Sequence, residues 1–248
     1  IKGRRDNIFI GTKVSPQNQG KKSLIKSAEA SLVRMGIDCI DLYQLHWPNP
    51  CIDIEETVDG LRNLIENYKI KYVGVSNFSF SDIQRFRKLM GDYFISVQDE
   101  YNITNRTAEQ NVIPYCNNNE LFFVGYSPFN QGRIIKNNKI LLDLSLKYNK
   151  SVHQIILNWI INKDNVIPIP HSVNRSHVEL NSKSFDFKMN KEEYNLIDQE
   201  FHSQIEFINY DTVKVSDEES KDNKVYKTLD EALENNQNFT PSPKQLSM

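Results

Sequence analysis

Six short runs rich in β-branched and aromatic residues alternate along this chain with longer segments whose apolar residues recur every three or four positions. That alternation constrains the fold more than any other feature, because strands separated by crossover helices pair in parallel. The runs are NIFIGTKV (7–14), CIDLYQLH (39–46), KYVGVSN (71–77), YFISVQ (93–98), LFFVGYS (121–127) and NVIPIP (165–170). Between them lie SLIKSAEASLVRMG, IEETVDGLRNLIENY, SDIQRFRKLMG, a weaker segment over 112–118, and the pair NKILLDLSLKY and SVHQIILNWIIN. In the first helical segment Leu24, Ala28, Leu32 and Met35 form one apolar stripe, and Gly36 is placed to cap it. An α/β protein with a parallel sheet follows, either an open doubly wound sheet or a (β/α)8 barrel. The open sheet that binds dinucleotides carries G-x-G-x-x-G after its first strand, and this chain has no G-x-G, which favours the barrel.

The strand ends add to that argument. Polar side chains fall at the carboxyl end of every run: Lys13, His46, Ser76 with Asn77, Gln98, Tyr126 with Ser127, and His171 with Ser172. Each alone has an ordinary structural explanation, since a Gln or Ser often closes a turn and a His often satisfies a nearby carbonyl. Those explanations give no reason for all six to fall at the same end, whereas barrel enzymes build one pocket from the carboxyl ends of many strands. In DLYQLHWPNP (41–50) the strand stops at Trp47 because Pro48 cannot donate to a ladder, leaving His46 at its end.

Composition excludes several classes. A net charge of −2 and a pI near 6.3, without a basic stripe, argue against a nucleic-acid partner. The longest strongly apolar run, 154–161, is far short of the ~20 residues that cross a bilayer, and IKGRRDNIFI, basic and then apolar for only a few residues, is not expected to act as a signal peptide. Three cysteines, Cys39, Cys51 and Cys116, without C-x-x-C spacing argue against a disulfide framework or structural zinc; a reducing, cytoplasmic location is expected and no metal site.

At this point the chain resembles the aldo-keto reductases through GRRDNIFIGTKV, SLVRMGIDCIDLYQLHWP, ETVDGLRNLIENYKIKYVGVSNF, SVQDEYN, VGYSPFNQG and VIPIPHSVNRSHVELN. LHWP, GVSNF and YSP in that order are specific, and the match runs through most of residues 3–200. The resemblance implies a (β/α)8 barrel that reduces aldehydes and ketones with NADPH, less often NADH, bound without a Rossmann motif. It implies that Lys13 and His46 are catalytic. Ser76, Asn77 and Gln98 would hold the nicotinamide carboxamide, and Tyr126 would stack on its ring. Ser127 and Phe129 would meet the pyrophosphate, and Ser172 and Asn181 the adenosine end.

In the family a tyrosine gives the proton that the carbonyl oxygen needs as hydride arrives, and a lysine paired to an aspartate lowers the tyrosine's pKa. Moving a phenol from near 10 to neutrality requires roughly 4 kcal/mol, which a close ammonium in a partly dry pocket can largely supply. That is the task implied for Lys13, while His46 would orient the carbonyl. The family's aspartate and tyrosine lie N-terminal to the lysine, and only twelve residues precede Lys13. The expectation is therefore a fragment, six of eight units, that turns over carbonyl substrate poorly as numbered. A second departure lies at the adenosine end, where His171 and His177, with Arg175 nearby, stand in place of the family's lysine and arginine. A neutral imidazole is a weaker partner for a 2′-phosphate than a guanidinium, which leaves the choice between NADPH and NADH open.

The barrel pattern is expected over 1–205 and a C-terminal extension over 206–248. In the extension SDEESKDNK (216–224) reads as a solvated loop, and Thr228 to Glu231 is the capping box of a short helix. Two other readings stay open: a non-catalytic NADP-binding regulatory relative, and a Schiff-base lyase using Lys13. The expected partner is a small carbonyl compound; which one, and the oligomeric state, are not legible in the sequence.

Overall fold

All six β-rich runs form strands, and they lie in one sheet in the order in which they occur in the chain, every neighbouring pair parallel. The computed structural model describes residues 3–132 and 138–202; the charged stretch 216–224 and the capping box at Thr228 lie outside them. The elements are β1 (Gly11–Val14), α1 (Lys21–Met35), β2 (Ile40–Leu45), α2 (Ile54–Glu66), β3 (Ile70–Ser76), α3 (Phe80–Met90) and β4 (Phe94–Glu100). They continue with α4 (Val112–Asn118), β5 (Phe122–Tyr126), α5 (Lys139–Tyr148), α6 (Val152–Ile161), β6 (Val166–Ile169), α7 (Arg175–Ser182) and α8 (Lys191–His202). A doubly wound sheet reverses strand order at a switch point, so the unbroken sequential order belongs to a barrel wall.

Side-chain alternation gives the wall two unlike faces. Val14, Tyr43, Leu45, Val73, Val75, Val97 and Phe123 are each at most 2% exposed and pack in one core with Leu24, Ala28, Leu61, Leu64, Ile83 and Phe86 of the helices. The opposite, inner face carries Gln44, Gly74 and Ser96 in register across β2, β3 and β4. There the Gln44 amide reaches over Gly74 to the Ser96 hydroxyl at 3.4 Å. A methyl group at Gly74 would lie 2.9 Å from Gln44 Cγ and 2.8 Å from the Ser96 carbonyl, so this crossing requires glycine.

Local chemistry explains the boundaries. Gly36 ends α1 in the left-handed region at φ 63°, its N–H meeting the Leu32 and Val33 carbonyls, as the sequence predicts. Ser79 and Asn138 cap α3 and α5, and Ser151 with Gln154 forms a full capping box at α6. The first strand is shorter than the run 7–14. The Asp41 carboxylate accepts from the Ile10 N–H at 2.9 Å and also holds Arg5 and Lys71, so the Ile10 N–H goes to a side chain, while its carbonyl still accepts from the Asp41 and Leu42 N–H groups of β2. Among the described residues no helix is long and apolar enough to cross a membrane.

Candidate active site

Lys13 is the penultimate residue of β1, and His46 directly follows β2, its N–H donating to the Val14 carbonyl at 3.0 Å. Lys13 lies in register with Gln44, so alternation puts Lys13, Gln44 and His46 on the inner face. Burial holds the Lys13 ammonium below its ordinary pKa. Burial also lowers His46, and the charge of Lys13 lowers it further. The ammonium and the imidazole therefore share one half-dry space at the ends of adjacent strands. Among the described residues no carboxylate pairs with Lys13.

The next three strand ends are tied together by Asn77. Its backbone is left-handed at φ 63°, a conformation asparagine tolerates better than most residues. In that pose its amide donates to the His46 carbonyl and to the Ser76 hydroxyl, both at 3.0 Å. Its Oδ1 accepts from the Tyr126 hydroxyl at 2.7 Å, and its N–H donates to the Gln98 carbonyl at 3.0 Å. One asparagine thus joins the ends of β2, β3, β4 and β5. Burial and the nearby Asp99 and Glu100 push the Tyr126 phenol well above its ordinary pKa, so it stays a neutral donor.

Ser76 and Gln98 are 1% and 5% exposed. The Gln98 side chain makes no hydrogen bond among the described residues. It offers an NH2 donor group and a carbonyl acceptor beside the Ser76 hydroxyl, the complement of a primary carboxamide such as that of nicotinamide. Asn77, by contrast, has both ends of its amide engaged, and contacting a ligand carboxamide through Oδ1 requires sharing it with Tyr126 or releasing it.

Ser127 opens the turn after β5 in the left-handed region at φ 51°, and its carbonyl accepts from the Asn130 N–H at 2.9 Å. Phe129 sets its ring edge-on to His153, centroids 4.8 Å apart. Ser172 follows β6 and accepts from the Asn174 N–H at 3.1 Å, Asn174 being the N-cap of α7, while Asn181 lies half-buried in the last turn of α7. Arg175 is exposed and paired with Glu179 at 2.9 Å, and His171 and His177 are exposed near it. Contacts therefore link Lys13, His46, Ser76, Asn77, Gln98 and Tyr126 into one group; Ser127 and Phe129 lie in the turn after β5, Ser172 after β6, and Asn181 in the last turn of α7. Beyond Trp47, whose carbonyl accepts from Gln19, the rim opens on a cavity of about 630 Å³ lined by Gln19, Pro48, Asn49, Phe78 and Arg85 among others.

Sequence reasoning passed over Gln44, Asn102 and Thr104. Gln44 had a visible signal, a long polar residue inside the apolar DLYQL. Asn102 and Thr104 had none, since their roles depend on a loop distant in sequence.

A sequential parallel sheet, helices on one face and polar groups gathered at its carboxyl ends define an α/β enzyme fold of the (β/α)8 type, with six strands described here. The chain belongs to the aldo/keto reductase family, whose family model matches residues 1–200. Methylglyoxal reductase YeaE of Escherichia coli is 31% identical over 206 residues, covering 81% of this chain and 72% of its own. Glyoxal reductase of Bacillus subtilis is 31% identical over 195 residues, covering 78% and 68%. Among solved structures, an aldo/keto reductase from Klebsiella pneumoniae in complex with NADP and acetate superposes with a TM-score of 0.76 at 30% identity, covering 81% of this chain and 72% of that one.

Proposed function

We propose that this chain carries the hydride-transfer site of an NADPH-dependent reductase of small aldehydes and ketones. The observation that carries the reading is the placement of Lys13 and His46 on the inner face at the ends of adjacent strands, with a Gln98 carboxamide that has no hydrogen bond among the described residues two strands on. NADPH supplies a hydride to the carbonyl carbon when bound. Ser76 and Gln98, with Asn77, hold the nicotinamide carboxamide; Tyr126 supports its ring. Ser127 and Phe129 meet the pyrophosphate, and Ser172 and Asn181 the adenosine end. The neutral His46 imidazole orients the carbonyl oxygen, and the Lys13 ammonium stabilises negative charge as it develops there. Because neither a carboxylate nor a phenol pairs with Lys13 among the described residues, the numbered chain is expected to turn over slowly. Residues 1–205 form the catalytic unit in this reading and 206–248 an appendage to it, in a cytoplasmic protein.

The names of the two curated relatives suggest methylglyoxal and glyoxal as first substrates. The test is a fluorescence titration with NADPH, followed by consumption of NADPH on adding methylglyoxal. Saturable binding with carbonyl-dependent oxidation supports the reading; binding without any oxidation returns the non-catalytic relative, and absence of binding rejects both. The burial of Lys13 also favours a second reading, since a desolvated amine is a competent imine former. Borohydride trapping of a carbonyl compound on Lys13 without cofactor separates that reading from the first.

A further inference from the structure

The segment proposed to meet the pyrophosphate is held from outside by a closed ring of hydrogen bonds. After β5, Ser127, Asn130 and Gln131 all have positive φ, at 51°, 48° and 54°, although none is glycine. Such residues cost free energy and persist only where surrounding contacts fix them. Here the contacts come from the loop after β4. The Asn102 amide donates to the Ser127 carbonyl at 3.3 Å, and that carbonyl also accepts from the Asn130 N–H. The Asn102 Oδ1 accepts from the Thr104 hydroxyl at 2.8 Å and from the N–H groups of Thr104 and Asn105. The Thr104 oxygen in turn accepts from the Asn130 amide at 3.2 Å, which closes the ring. Asn102 is 1% exposed, and the Tyr101 N–H bonds to the Tyr126 carbonyl at 3.2 Å, so the ring sits directly above a parallel ladder that keeps the loops aligned.

We propose that Asn102 and Thr104 are positioning residues for the cofactor. They touch no reacting atom; they preset the left-handed turn at Ser127 so that its hydroxyl and neighbouring N–H groups meet a pyrophosphate without first being ordered. The inference rests on the assignment of Ser127 to the pyrophosphate. Thr104 is the informative member of the ring, because it connects two asparagines while valine matches its shape.

The experiment measures NADPH affinity of the 248-residue chain by fluorescence titration for wild type, Thr104→Val, Thr104→Ser and Ser127→Gly. Thr104→Val removes both hydrogen bonds of the hydroxyl, to Asn102 and from Asn130, and should weaken NADPH binding by roughly two- to tenfold or more. Thr104→Ser keeps the hydroxyl and should bind within about twofold of wild type, a rescue that a packing role for the methyl group does not give. If Thr104→Val does not fold, Asn130→Gly opens the same ring from its other side, keeps the positive φ, and should weaken binding similarly. Weakening by Ser127→Gly with wild-type affinity in Thr104→Val leaves the pyrophosphate assignment standing and overturns the positioning role. Equal losses in Thr104→Val and Thr104→Ser overturn it as well. Wild-type affinity in Ser127→Gly, or no NADPH binding by the wild-type chain, removes the assignment and the inference together.

Discussion

The Lys13 ammonium holds a charge that burial disfavours, while burial favours the neutral form of its neighbour His46; the first is a cost to folding that a site for polar chemistry carries and a plain core does not. His46 has a folded pKa below the ordinary 6.5, lowered by burial first and by Lys13 second. Between that lowered value and 6.5 the unfolded chain binds more protons than the folded one, so stability rises with pH across this window. The contribution is complete above 6.5 and is lost as pH falls through the folded value. Lys13→Met removes the second cause and leaves the first. The His46 imidazole should then titrate higher, though still below 6.5, in an NMR pH titration, and the dependence of urea stability on acid pH should flatten. At neutral pH the variant should also melt at a higher temperature, because a desolvated ammonium is gone. Carbonyl reduction should drop by roughly 100-fold or more if Lys13 acts on the developing charge. A variant with unchanged His46 titration would mean that the two groups do not share a space.

The same contrast between local and distant causes decides how much the sequence reveals at the level of elements. Every strand was legible, because runs such as KYVGVSN need only their own β-branched residues to be read, and α4 appears over the weak segment 112–118. Its Pro114 is tolerated since it falls in the first turn, where an N–H has no helical partner. The start of β1 was not legible, because the Ile10 N–H is taken by the Asp41 carboxylate, thirty-one residues away. In the site, Lys13, His46, Ser76, Gln98, Tyr126 and Ser172 were visible at strand ends; Phe129 and Asn181 came only from family resemblance. The left-handed pose of Asn77 and the ring through Thr104 have no local signature. Two element-level contacts give sharp tests. Gly74→Ala should destabilise by about 1–3 kcal/mol through overpacking against Gln44 and the Ser96 carbonyl, read as a lower urea midpoint with the same slope. Arg106, 4% exposed, pairs with Glu109 of its own β4–α4 loop at 2.8 Å, ties that loop to α8 through Asp198 at 3.0 Å, and lies 5.2 Å from the Trp159 ring centroid. Arg106→Ala should cost about 3 kcal/mol in the same measurement, since the acids lose a buried partner. A midpoint shift below about 1 kcal/mol would show that Lys163, also on Asp198, suffices.

For the molecule as a whole, the two faces of the sheet are not equally covered. The outer face is sealed by helices, whereas the inner face carries Phe122, Ile167 and Ile169 at 49%, 45% and 41% exposure. Phe122 registers with Ser96, Ile167 with Val124 and Ile169 with Tyr126, which places all three on that face. Phe9, just before β1, is 60% exposed. The two edges of the sheet, β1 and β6, have no strand partner on their outer sides among the described residues. Exposed apolar area beside unpaired backbone is a template for association, and the net charge of −2 gives little repulsion against it. The 248-residue chain on its own should therefore bind a hydrophobic dye in native buffer and grow in scattered mass with concentration. Phe122→Ser together with Ile167→Thr should reduce both signals severalfold. Because neither side chain is fully buried, urea stability should fall by no more than about 1–2 kcal/mol. Cofactor binding should persist, since the proposed contacts lie at the carboxyl ends of the strands, above Phe122 and Ile167. A monodisperse, dye-silent wild-type chain would mean that this inner face is covered in solution. The double variant would then lose stability far beyond that range, because its substitutions would fall in a packed core.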